Sequence, residues 1–217
     1  MQYEKMTPDT SVVNDRMQRT FAWRRKEIAD GMTVEDVLKK YPFLRTPTGL
    51  CDEVDRIHPS AVKLYRRWKE GFTGIVPKVV KLVQGKSPLA KMYADAREEM
   101  LTEDLPDIQF TDFYVFFEQY DAQSPYPTVQ LVETDWEMAF TRNVPVLVKV
   151  DGVDLCRGTG VEEGVIAAFC AYFVFDMAYP PYMKNTLSFL QRTLLNITVV
   201  GEKPLPVTVT RVINLIY

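Results

Sequence analysis

An unbroken apolar run constrains the fold of this chain more than any other feature, because its side chains must be removed from water. The run has 11 residues, VIAAFCAYFVF at 165–175, and ends at Asp176. A helix needs about 20 apolar residues to cross a bilayer, so this run is too short to do so. A helix that is apolar on nearly all sides is buried inside a protein. The sequence therefore predicts a buried helix at 162–178.

The residues before this helix are typical of short strands. Stretches at 110–120, 128–133, 144–150 and 153–156 are rich in β-branched and aromatic residues. The Asp151-Gly152 pair between the last two stretches suits a type I′ turn and predicts a tight hairpin. After Pro180-Pro181, a further helix is predicted at 182–196.

The first hundred residues have helical spacing of their apolar side chains. We predict one helix at 12–28, one that Thr33 caps, one that starts at Thr48, and further helices at 61–72, 76–83 and 87–101. Tyr41-Pro42 ends the second of these, since the residue before a proline leaves the helical region. The predicted fold class is α+β: a helical N-terminal half, then a small, mostly antiparallel sheet covered by two helices.

The two halves of the chain differ in charge. Residues 1–100 hold 19 Lys and Arg against 14 Asp and Glu, and residues 101–217 hold 7 against 15, so +5 and −8 give −3. We expect a mildly basic helical region at 1–104 and an acidic α+β region at 105–217, with one continuous domain as the alternative. The asymmetry favours either different partners for the halves or docking of one half on the other.

The residues needed for catalysis or metal binding are scarce. His58 is the only histidine, and Cys51, Cys156 and Cys170 have neither disulfide-ladder nor metal-site spacing. A thiol nucleophile paired with His58 and a carboxylate–metal site for phosphodiester chemistry are the remaining enzyme hypotheses. The glycine-containing loops lack the lysine of a phosphate-binding loop. We therefore predict no enzyme activity and no metal or cofactor. Free thiols and a polar segment at 1–20 predict a cytoplasmic protein, with the nucleus also open, and no membrane association.

Two basic clusters and the C-terminal tail are the candidate binding residues. The first cluster comprises Arg16, Arg19, Trp23, Arg24 and Arg25, and the second Lys63, Arg66, Arg67 and Trp68. They could face solvent, pair with the acidic half, bind a partner protein, or bind nucleic acid by phosphate contact and base stacking. In the tail, Val207, Val209 and Ile213 predict a strand, or an ordered end, that could pair with the sheet edge of a second copy.

Four segments together resemble a known family. They are TFAWRRKEI at 20–28, PVLVKVDGV at 145–153, AFCAYF at 168–173 and AYPPYMKNTLSFLQ at 178–191. As a set they resemble the C-terminal region of sterile alpha motif domain-containing protein 3-like proteins, a group multiplied in fish genomes. The resemblance covers residues 18–60 and 140–197. It implies no catalytic residue, and the absence of an N-terminal sterile alpha motif implies that polymerisation through that module is not available.

The first functional hypothesis is a non-enzymatic protein-interaction or assembly module that self-associates as a homo-oligomer or filament. Its partner would be a second copy or another protein. The alternative is a nucleic-acid-associated protein that uses the two tryptophan-containing basic helices.

Overall fold

A computed structural model describes residues 9–59, 63–83, 124–131, 144–198, 201 and 203–217. Five helices come first: α1 (Thr10–Arg19), α2 (Phe21–Ala29), α3 (Val34–Lys40), α4 (Pro47–Ile57) and α5 (Leu64–Val83), with a 3-10 turn at Pro42–Arg45. Strands β1 (Thr128–Leu131), β2 (Val146–Val150) and β3 (Val153–Gly158) follow. Helices α6 (Val161–Val174), α7 (Lys184–Thr193) and α8 (Val207–Ile216) complete the described part. The α+β fold class is confirmed.

Side-chain caps define the starts of the N-terminal helices. Thr33 caps α3 as predicted, and its hydroxyl accepts a hydrogen bond from the Asp36 backbone N–H at 3.2 Å. The predicted start of α4 at Thr48 is wrong. Thr46 is the cap, accepting from the Gly49 N–H at 3.0 Å, and Pro47 takes the first helical position, where its missing N–H costs nothing.

Two predicted helix boundaries differ from the structure. The helix predicted at 12–28 is divided at Thr20, whose hydroxyl donates to the Arg16 carbonyl at 2.9 Å and competes with the backbone pattern. The gap predicted between the helices at 61–72 and 76–83 is absent, because α5 continues through it. A Cβ at Gly71 would lie 3.0 Å from the Leu194 Cδ2, so this glycine permits close packing rather than ending the helix.

The sheet is antiparallel, in the order β1-β2-β3. Asp151 and Gly152 have φ of 52° and 73°, which confirms the predicted hairpin with both turn residues in the left-handed region. Helix α6 packs across all three strands and against α4. Gly164 permits this contact, since a Cβ there would lie 2.5 Å from a methyl carbon of Val146. The predicted buried helix is confirmed, ending at Val174 instead of 178.

The prediction of a strand in the C-terminal tail is wrong, because residues Val207–Ile216 form helix α8. Val209 and Ile216 are buried and Ile213 is partly buried, so the inward side chains recur at helical spacing. Helix α8 packs on α7 and α5. The Lys78 ammonium donates to the Ile216 carbonyl at 3.2 Å, a favourable position for a cation at a helix C-terminus. Tertiary packing thus overrides the β-branched composition.

Both halves of the chain contribute to one hydrophobic core, which extends from Met17 to Ile216. The helix predicted at 87–101, the strand predicted at 110–120 and the domain boundary at 104 lie outside the described residues. The division into two regions therefore stays a prediction. Among the residues described, no helix has the length and apolar composition to cross a membrane.

Candidate interaction surfaces

Arg24 of the first basic cluster lies inside the protein, with its side chain fully buried. Its Nε donates to the Glu53 Oε1 at 2.8 Å and its Nη2 to the Glu53 Oε2 at 2.7 Å, a bidentate ion pair between α2 and α4. Two further N–H groups donate to the Thr20 hydroxyl at 2.9 Å and the Met17 carbonyl at 3.0 Å. Because the guanidinium is closed to solvent, the structure corrects its predicted role in partner binding to a role in packing.

Further side chains enclose this ion pair. The Arg24 guanidinium lies 5.1 Å from the centre of the Tyr41 ring, a distance at which the ring attracts a cation. Arg56 donates to the second oxygen of Glu53 at 3.2 Å and to Asn14 at 3.0 Å. The network therefore joins α1, α2 and α4, and it gives Thr20 and Arg24 of the segment at 20–28 a structural role.

Arg25 binds the other half of the chain. Its Nη1 donates to the carbonyl of Val174, at the last residue of α6. Partial burial lowers the pKa of Arg25, and the nearby Asp176 carboxylate opposes that change. Adjacent arginines thus have different partners, one within the N-terminal helices and one in the C-terminal half.

The other members of the first cluster lie at the surface. Arg16 is exposed, and the exposed Arg19 lies 3.5 Å from the Asp15 carboxylate. Trp23 is 62% exposed, and its indole N–H donates to Glu27 at 2.6 Å. These three residues remain predictions as a contact surface for a partner.

The second basic cluster also contains both buried and exposed side chains. Trp68 is fully buried, and its ring centre lies 5.1 Å from that of Phe169, so the structure corrects its predicted role in base stacking to a role in the core. Arg66 pairs with Glu70 at 2.6 Å, and Arg67 donates to the Leu195 carbonyl at 3.4 Å. Lys63 is exposed, with a positive φ of 66°.

Basic residues of the first half bind acceptors of the second half at several points. Besides Arg25 and Arg67, Arg45 donates to the Asp154 carbonyl at 3.3 Å, and Lys69 lies 3.8 Å from the Glu162 carboxylate. Of the four interpretations of the basic clusters, contact within the chain therefore has direct support for Arg25 and Arg67, through backbone carbonyls. Lys69 with Glu162 is an ion pair between the two halves.

The tail presents apolar side chains on its outer side. Val207 is 75% exposed and Leu215 is 63% exposed, with Val212 and Tyr217 also exposed. Val209 packs inward, so it is not a surface residue of this helix. The strand prediction had placed Val207 and Val209 on the same side, whereas the helix separates them.

The three thiols are free, and all of them are buried. The Sγ atoms of Cys51 and Cys170 lie 3.8 Å apart. Burial raises the pKa of Cys156 to about 12 and that of Cys170 well above its usual value. Thiolate nucleophiles need the opposite environment, one that lowers the pKa. Among the described residues, no group of three or more His, Cys, Asp and Glu could hold a metal ion.

We expect these thiols to be unreactive in the folded protein. At pH 8 a disulfide reagent should modify Cys156 and Cys170 about two to three orders of magnitude more slowly than an exposed cysteine. In denaturant all three thiols should react at the rate of an exposed cysteine. The measurement is thiol release by absorbance, and fast modification of the native chain would contradict the burial described above.

The sequence reasoning missed Glu53, the partner of Arg24. A signal was present, because Glu53 lies between Leu50 and Val54, on the side of α4 that is buried. A carboxylate on an apolar helix face is rarely buried without a cationic partner.

Comparison with known proteins adds one match. Residues 1–46 match the family model described as sterile alpha motif domain-containing protein 3, helical domain. The N-terminal part of this chain is similar to that helical domain. The matched residues include α1, α2, α3 and the buried Arg24. No curated protein and no solved structure matches the chain.

The match supports the predicted likeness to sterile alpha motif domain-containing protein 3 in its N-terminal part. The likeness predicted at 140–197 lies outside the matched residues and stays a prediction. The description of the family model names a helical domain and gives no substrate or partner.

Proposed function

We propose that this chain is a non-catalytic protein-interaction module that self-associates through the outer face of α8. The observation that carries the proposal is the exposure of Val207, Val212 and Leu215 on one short helix. Scattered apolar side chains are normal at a surface, whereas a contiguous group of them is typical of an interface. The likeness of residues 1–46 to a domain of a sterile alpha motif protein is consistent with an interaction module.

The outer residues of α8 can make such a contact without unfolding the helix. Val209 and Ile216 hold the inner side of the helix to the core, and Lys78 binds its last turn. An amphipathic helix that is anchored on one side can present its other apolar positions to a second copy. This mechanism replaces strand addition.

We expect the chain to have a mass above 25.0 kDa in solution, rising with concentration and persisting at high salt, because apolar contacts are not screened. Leu215→Glu should lower that mass to the value of one chain, since it places a charge in the contact. Light scattering across a concentration series measures both.

The matched control is Gln18→Glu, which adds the same charge at an exposed position of α1, outside the proposed contact. It should leave the mass unchanged. A single-chain mass at every concentration of the unmodified protein would overturn self-association, and equal effects of the two variants would remove α8 from the interface.

Nucleic-acid binding remains the alternative from the sequence, and no contact in the described residues favours it. Arg24 and Trp68 are buried, and Arg19 and Arg66 have carboxylate partners. A binding constant that falls steeply with salt would support this alternative, because each phosphate contact releases counterions.

A further inference from the structure

A cleft lies where the N-terminal helices meet the end of α6 and the start of α7. Its volume is about 540 Å³, within the range of small-molecule sites. Arg25 from α2 and His58 at the end of α4 line one part, and Lys184, Ser188 and Gln191 of α7 line another. The spacing of four and three residues puts these last side chains on one face of α7. Three of the four segments that carry the family resemblance, 20–28, 168–173 and 178–191, therefore supply residues to one cleft.

Several polar groups of this cleft lack a protein partner. Ser188 is only 6% exposed, and within the described part of the chain its hydroxyl forms no hydrogen bond. The side chains of His58 and Lys184 also form no hydrogen bond or ion pair with any residue that the structure describes. These three polar side chains line the cleft, so they are available to hydrogen-bond a ligand there.

Arg25 is placed to bind an anion in the same cleft. Its hydrogen bond to the Val174 carbonyl uses one of its five N–H groups and fixes the guanidinium at the cleft wall. Lys184 adds a second positive charge, and Asp176 is the carboxylate among the lining residues. The fork of an arginine matches the paired oxygens of a carboxylate or phosphate.

The rest of the cleft is apolar and aromatic. Tyr172, Phe173 and Tyr179 line it, with ring centres 5.1 Å apart for Tyr172 and Tyr179 and 6.5 Å apart for Phe173 and Tyr179. The Tyr179 hydroxyl donates to the Gln191 amide oxygen at 2.9 Å, and the amide nitrogen donates to the Ile197 carbonyl at 3.2 Å. These hydrogen bonds hold the wall in place, and flat rings provide a surface for an apolar or aromatic group.

We propose that this cleft binds a small organic anion with an aromatic or apolar body. Its oxyanion head, a carboxylate or a phosphate, lies between Arg25 and Lys184 and accepts from Ser188, and its body packs on the aromatic wall. The proposal does not depend on self-association, because none of these residues belongs to α8.

His58 provides a direct readout of the cleft. It is the only histidine of the chain, so the imidazole signals in a nuclear magnetic resonance spectrum belong to it alone. Its ring lies edge-on to Phe173, with centres 5.2 Å apart. Burial lowers the pKa of His58, and the positive charge of Arg25 lowers it further, while Lys184 and Asp176 are the other charged groups lining the cleft. A bound anion would stabilise the imidazolium and raise this pKa.

The test titrates the full chain with benzoate, phenyl phosphate and the neutral benzamide, following the imidazole signals of His58. We expect saturable shifts with one or both anions at about 1–10 mM, and a higher pKa of His58 when the anion is bound. The stronger of the two anions identifies the head group. Equal shifts with benzamide, or no saturable shift with either anion, would overturn the proposal.

Substitutions of cleft residues test whether the shifts of the His58 signals come from an anion bound in the cleft. Lys184 is exposed, so Lys184→Gln should leave the fold intact and weaken binding of the anion about threefold to tenfold. Ser188→Ala should also weaken it. Arg66→Gln on α5, the matched control, removes one positive charge away from the cleft and should leave the affinity unchanged. If Lys184→Gln binds as tightly as the unmodified chain, the anion is not held as proposed.

Discussion

Replacing Glu53 with alanine is expected to lower the free energy of unfolding by about 3–5 kcal/mol. The substitution leaves the guanidinium of Arg24 fully buried, with a hydroxyl and a backbone carbonyl as acceptors but no counter-charge. An unpaired buried charge is costly because the interior cannot replace its hydration. Urea unfolding followed by circular dichroism measures the change. Glu70→Ala, which removes an exposed partner of Arg66, is the control and should cost less than about 1 kcal/mol.

A double substitution separates the cost of an unpaired buried charge from the cost of lost packing. Arg24→Met with Glu53→Met removes both charges and keeps apolar volume, so it should recover most of the stability that Glu53→Ala loses. Arg56 keeps its hydrogen bond to Asn14 in this variant. If the double variant is less stable than Glu53→Ala, the geometry of the network matters more than the neutralisation of Arg24.

Features that depend on neighbouring residues were predictable from the sequence. The cap at Thr33, the turn at Asp151-Gly152 and the helix end at Tyr41 are decided by local hydrogen bonds and allowed backbone angles. The buried helix at 161–174 was also predictable, because few arrangements remove so apolar a segment from water. Together these signals were sufficient for the α+β class.

Features that depend on distant residues were not predictable in the same way. Val207 and Val209 alternate as in a strand, yet the contacts of α8 with α7, α5 and Lys78 favour a helix. The helix predicted at 61–72 ends next to Gly71, but α5 continues past it, and the lack of a side chain at Gly71 permits the approach of Leu194. In each case the deciding contact is with a residue far along the chain, which the local pattern does not contain.

The candidate binding residues show the same limit. Arginine and tryptophan in a basic helix have the composition of a binding surface, and composition does not reveal which of them point inward. Arg24 is buried, while Arg16 and Trp23 on the same short helical region are exposed, and Trp68 of α5 is buried. Of these, only Arg24 had a sequence signal for burial, through Glu53 on the apolar face of α4.

Trp68→Ala is expected to destabilise the fold by about 3–5 kcal/mol, the range for removing a large aromatic side chain from a core. Trp68 is fully buried, and its ring packs on Phe169, whose own ring centre lies 5.4 Å from that of Phe173. The substitution would therefore leave a cavity between α5 and α6. Thermal and urea unfolding measure the loss.

Tyr65→Ala is the matched control for this variant, because Tyr65 is an aromatic residue of α5 that is 41% exposed. Its cost should be about 1 kcal/mol or less. Trp68→Phe should keep most of the stability, since it retains a ring beside Phe169. If Trp68→Ala leaves stability unchanged but weakens binding of single-stranded nucleic acid, this side chain faces outward and the nucleic-acid hypothesis gains its stacking residue. If it unfolds the chain as expected, the aromatic and basic composition of α5 reflects packing between the two halves rather than recognition of bases.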